Sequence, residues 1–144
     1  MKKSLSVLIF LSLAFGSVEE AKRLIEQEDY EEAVLLLREE LKKGKGLHVL
    51  ELYALASVRI GEVEEAIKAS EEALRLDPES KTARLVLAEA YIVKNKPDEA
   101  INLLVKLPES DEKNFLLGQA YLRKSQPELV RKHLSKVSPS SPRY

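Results

Sequence analysis

An all-α fold of repeated helical hairpins is what this sequence predicts. Three observations predict it: a 34-residue unit that recurs along the chain, a composition dense in Glu, Lys, Leu and Ala, and small residues placed where paired helices must approach closely. Those four residue types lose little side-chain freedom in a helix. With 44% hydrophobic and 33% charged residues over 144 positions, the chain is too apolar for disorder and long enough for one domain with its own core. A search for a fixed period comes before any single helix, because missing a repeat misassigns the whole fold.

The chain opens with Met1-Lys2-Lys3, an apolar run from Leu5 to Phe15, and small residues around Gly16 and Ser17. That order of charge, apolar stretch and small residues reads as a secretory leader over residues 1–16. The run is about half of the roughly 20 residues that span a bilayer as a helix, so a cleaved leader is expected over a permanent anchor. Membrane contact is then confined to the leader, and the mature protein is expected in the periplasm or outside the cell. An uncleaved anchor and a buried first helix of a cytoplasmic protein are the alternatives, since Val18 continues the apolar pattern.

From Val18 to about Glu26 one amphipathic helix is expected, followed by a second that Asp29-Tyr30-Glu31-Glu32-Ala33-Val34 opens. The basic linker Lys42 to Lys45 leads into the clearest unit, Leu47 to Ser80, which splits into two helices around Gly61 and closes with Asp77-Pro78. Leu50, Tyr53, Ala54 and Ser57 repeat at helical spacing on one side of its first helix, and Ala66, Ile67, Ser70, Ala73 and Leu74 on its second. Alanine at 54, 66 and 73 lets antiparallel helices come close where leucine would hold them apart.

This unit resembles a tetratricopeptide repeat, through Gly61 in the turn, Glu65-Ala66-Ile67, Ala73-Leu74 and Leu76-Asp77-Pro78. Leu50 stands where an aromatic is usual. The next unit, Lys81 to Ser110, is similar through Ala88, Ala90-Tyr91, Lys96 to Ile101 and Leu104, and Leu107-Pro108 cuts its second helix short. A last unit from Asp111 carries Leu117-Gly118, Ala120-Tyr121, Pro127 and a capping helix from Glu128 to Val137. Gly61 and Asn95 suit the left-handed end of a helix, and Pro97 and Pro127 the first turn of the next. The repeat domain is thus placed at 17–137, about four units, with residues 138–144, SPSSPRY, as a flexible tail.

The resemblance implies a short right-handed solenoid whose first helices line a concave groove for a helix or peptide. Carried over residue by residue, the groove takes His48, Glu51, Leu52, Leu55 and Arg59, then Leu85, Val86, Glu89 and Val93, then Phe115, Gln119 and Arg123. Members that clamp a terminal carboxylate use Lys, Asn and Arg where this chain has Glu51, Leu52, Leu55, Thr82 and Val86, so such a clamp is not expected. An apolar strip of Leu55, Leu85, Val86 and Phe115 is expected instead, open to a partner or filled by the chain itself or a second copy. The function implied is a non-catalytic scaffold of the bacterial cell envelope. A cytoplasmic regulatory adaptor and an enzyme's accessory domain are the alternatives.

Composition narrows the chemistry. The net charge of −1 offers no basic excess for nucleic acid. It is unevenly spread: Glu19 to Glu79 holds 9 basic against 17 acidic residues, and Ser80 to Tyr144 holds 12 against 7, a pattern that suits a dipolar partner or head-to-tail self-association. With no Cys there is no thiolate chemistry and no lipid-modified leader. No Gly-rich phosphate loop occurs, and His48 with Glu51 supplies two ligands but no third, so neither cofactor nor metal is expected. The pairs Glu19-Glu20, Glu31-Glu32, Glu64-Glu65 and Glu71-Glu72 read as solvated surface, and Tyr53, Tyr91 and Tyr121 as core aromatics.

Overall fold

A computed structural model describes residues 16–141; the leader expected at 1–16 therefore lies almost wholly outside the described residues, as do the last three positions of the tail. Among the described residues there are eight helices and no strand. They are α1 (Ser17–Glu26), α2 (Tyr30–Lys43), α3 (Leu47–Arg59), α4 (Val63–Leu76), α5 (Lys81–Val93), α6 (Pro97–Leu104), α7 (Asp111–Arg123) and α8 (Pro127–Leu134). None of these is long and apolar enough to cross a membrane. The chain divides into two compact units, and the division falls between Ala83 and Arg84, within α5.

In the first unit α1 to α4 pack each against the next, and α1 also reaches α3. The contacts rest on small residues: Ala54, Ala66 and Ala73, which the period placed there, and Ala21 and Ala33 of the first hairpin are all completely buried. Leu24, Leu37 and Leu50 fill the remaining space. Tyr53 is buried as expected, and its hydroxyl is held between Arg38 Nε, at 3.3 Å, and Glu65 Oε2, at 3.5 Å. In the second unit one cluster joins Leu85, Ala88 and Ile92 of α5 to Leu104 of α6 and Leu116, Leu117 and Ala120 of α7. Helix α6 stops at Leu104, short of Pro108, because a residue before proline avoids the helical region and the ring would clash with the preceding turn. The last helix is shorter than the sequence pattern suggests: it ends at Leu134, and residues 135–137 turn.

The first helix of every hairpin ends the same way. Glu28, Gly61, Asn95 and Ser125 have φ of 62°, 84°, 58° and 55°. In each case the next amide turns back to a carbonyl five residues earlier, from Asp29 to Leu24, Glu62 to Ser57, Lys96 to Tyr91 and Gln126 to Tyr121. This double-bonded stop satisfies the orphan carbonyls of the helix, and a left-handed residue is its requirement. Gly61 adopts that conformation freely, whereas Glu28 and Ser125 bear the steric cost of a Cβ. Glu28→Gly should therefore raise stability by about 1 kcal/mol and Gly61→Ala lower it by about 1 kcal/mol. A Cβ on Gly61 would meet nothing within 4 Å, so urea unfolding of that variant reads the backbone alone.

Gly118 is small for a different reason. A Cβ built on it would lie 2.7 Å from Cγ of Leu134, so α8 is seated directly on the α7 backbone. Gly118→Ala sets a gain of about 1 kcal/mol in helix propensity against displacement of that leucine. In a Leu134→Ala background the clash is gone. A double-mutant cycle should find Gly118→Ala stabilising there and destabilising in the otherwise unaltered chain.

Candidate partner-binding surface

The expected groove residues do not share one environment. On α3 of the first unit, His48 is exposed while Glu51, Leu52, Leu55 and Arg59 are partly buried. Glu51 is not a free carboxylate: Ser80 donates its hydroxyl to Oε2 at 2.6 Å, and His48 Nδ1 lies 3.8 Å from Oε1. The same Ser80 oxygen accepts the Ala83 amide at 3.1 Å and so caps α5. Among the described residues no group of three His, Cys, Asp or Glu is placed to hold a metal ion. Arg59 lines a pocket with the turn between α1 and α2.

The second unit requires a correction. Leu85 is 7% exposed and Val86 1%, so neither belongs to an open apolar strip. Leu85 is part of the core cluster, because α5 is apolar around most of its circumference and turns Leu85, Val86, Leu87 and Ala88 all inward. Glu89 is partly buried and Val93 is 52% exposed. On α7, Phe115 and Gln119 are partly buried and Arg123 is exposed. Phe115 packs one side against the core and keeps the other at the surface. One turn pair further along the same stripe stands Leu122, 66% exposed, which sequence reasoning passed over. Its spacing of seven residues from Phe115 was the available signal, since residues that far apart share a helix face.

The carboxylate pairs need a second correction. In two of them one member turns inward: Glu20 is 1% exposed and Glu32 is 7% exposed, while Glu19 and Glu31 face solvent. Glu20 is held by Arg23, whose Nη2 and Nε donate to its two oxygens at 2.7 and 2.9 Å.

A polar network closes the last hairpin. Asn114, nearly buried, donates from Nδ2 to Glu109 Oε2 and to the Ser110 carbonyl, both at 3.1 Å. With those two acceptors on the amide nitrogen, its oxygen faces His133 Nδ1 at 3.1 Å, so the imidazole donates there. His133 also stacks on Tyr121, with ring centroids 5.5 Å apart. Burial, followed by Lys136 and Lys132, pushes its pKa below the ordinary value of 6.5. These groups orient α8 on α7.

Comparisons with known proteins come out on the side of the repeat. Two family models, each described as a tetratricopeptide repeat, match residues 18–79 and residues 59–122. A solved structure described as "MamA RS-1 ArsTM double mutant" is similar over 83% of this chain and 70% of its own, with a TM-score of 0.65 and 20% sequence identity, a likeness of fold alone. No match was found among curated protein sequences.

Proposed function

The chain belongs to the tetratricopeptide-repeat family, a class of protein-interaction modules generally without catalysis of their own, and from that premise we propose that it is a non-catalytic scaffold of the cell envelope. Its partner, a helix or extended segment, is held on the second unit along the α7 stripe. The observation that carries the surface is the pairing of Phe115, half in the core, with Leu122, two-thirds exposed, beside Gln119 and Arg123. An aromatic that is rigidly seated yet open on one side is the kind of residue that anchors an interface. Export is supported by the charged start, the apolar run and the small residues of positions 1–17. Because α1 starts at Ser17, removal of residues 1–16 leaves all eight described helices whole.

A photo-reactive residue at Leu122 should give one protein adduct in the native cell, and Phe115→Asp should reduce that adduct at least about tenfold while leaving helicity unchanged. An adduct indifferent to position 115 would overturn the stripe. Mass spectrometry of the mature chain should find an N-terminus at or near Ser17 in an extracytoplasmic fraction; an intact Met1 in the cytoplasm would overturn export.

A further inference from the structure

Hairpins can be compared place by place by counting from the left-handed residue of each turn, Glu28, Gly61, Asn95 or Ser125. One such place, next to last in the first helix, is taken by Val58 in α3, Ile92 in α5 and Leu122 in α7, and their exposures are 7%, 4% and 66%. In the second helices a corresponding place is taken by Leu37, Ser70, Leu104 and Leu134. The first three are completely buried, and Leu134 is 42% exposed. Leu134 is seated on Gly118, one helical turn before Leu122 on the same face of α7, so the two open leucines adjoin.

Their side chains are no more polar than those of the buried counterparts; the difference is the neighbour. The first helices α3 and α7 each pack on the second helix before them, α2 and α6, whereas no first helix follows α8 among the described residues. Leu122 and Leu134 thus form a seat for one more first helix. The chain carries a helix of that kind, α1, before which no second helix stands among the described residues. Charge selects it. Residues 123–137, around the seat, hold 5 basic residues against 1 acidic, and residues 17–34, covering α1 and the start of α2, hold 7 acidic against 2 basic. Lys132 and Lys136, on either side of Leu134 in sequence, and Glu26, at the end of α1, are exposed and make no ion pair among the described residues.

We propose that α1 of a second copy packs on Leu122 and Leu134 in the place of a following hairpin's first helix, joining copies head to tail with the acidic start of one against the basic end of the next. The contact is heterologous: each copy offers both surfaces, so association continues past a dimer unless it closes into a ring. Because Leu122 also belongs to the α7 stripe, this rests on the reading that a helix occupies that stripe and names the helix.

Sedimentation equilibrium of the chain as the cell matures it tests the contact. The weight-average mass should rise above the monomer between about 10 μM and about 1 mM at low salt and return toward it as ionic strength increases. Lys132→Glu with Lys136→Glu should weaken association at least about tenfold, and so should Glu19→Lys with Glu26→Lys, because each pair sets like charges face to face. All four side chains are exposed. Mixed in equal amounts, the two reversed chains should associate again, since each reversed surface then meets its opposite. Loss of helix in one variant could not be repaired by the other. A monomer at every concentration, or a mixture no more associated than its parts, would overturn the contact. A photo-adduct from Leu122 to a different protein, in a chain that stays monomeric, would overturn the second copy as occupant and leave the α7 stripe standing.

Discussion

Replacing Leu104 by alanine is expected to remove about 3 kcal/mol of stability from the second unit. Leu104 is completely buried and lies in the cluster that joins α5, α6 and α7. Its helix has only eight residues and stops early at the Pro108 boundary, so few neighbouring side chains can shift to fill the space. The cost is the lost transfer energy of the side chain together with the cavity left behind. Urea unfolding followed by circular dichroism measures it. Leu122→Ala is the matched control: the same chemical change on a residue 66% exposed should stay within about 0.5 kcal/mol. A loss below about 1 kcal/mol for Leu104→Ala would mean that the interior collapses around the deletion.

The second large effect belongs to Asn114. Alanine there strips three hydrogen bonds at once and leaves the His133 Nδ1 proton and the Ser110 carbonyl facing an apolar methyl. A loss of about 2 kcal/mol is expected. The same network gives a pH dependence. His133 titrates below 6.5 in the folded chain because burial and the cations Lys136, Lys132 and Lys113 disfavour its charge, against the opposing pull of Glu109. Between the folded value and 6.5 the unfolded chain holds more proton, so stability rises with pH across that window. The contribution is complete above 6.5 and is lost as pH falls through the folded value. Urea midpoints taken from about pH 7 down to about pH 5 should fall less steeply in His133→Gln than in the unaltered protein.

Much of the fold could be read from residue spacing, because the features that set it are local and repeat. Alanine at 54, 66 and 73 marked close helix approach, and each is buried without exposed surface. Gly61 and Asn95 announced two of the four left-handed turns. The other two hide behind Glu28 and Ser125, residues with no preference for that conformation; only counting 33 residues back from Gly61 or 30 on from Asn95 finds them. The binding surface was less legible. Helix α5 is apolar on nearly every side, so periodicity does not tell which of its residues face inward, and Leu85 and Val86 read as surface although the fold buries both. Charge misled at Glu32 as well. A glutamate in an acidic run looks solvated, yet Glu32 is only 7% exposed in the fold.

The seating of α8 has a spectroscopic consequence. No residue of that helix is buried, and its attachment depends on Leu134 over Gly118 and on the His133 ring against Tyr121. Local opening there costs far less than unfolding the cluster beneath it. The chain has no Trp, so its intrinsic fluorescence comes from five tyrosines, one of which, Tyr121, loses its stacked neighbour when α8 lifts. Emission should thus begin to change at lower temperature than far-ultraviolet ellipticity, and the two melting curves will separate without any departure from cooperative unfolding in the rest of the second unit.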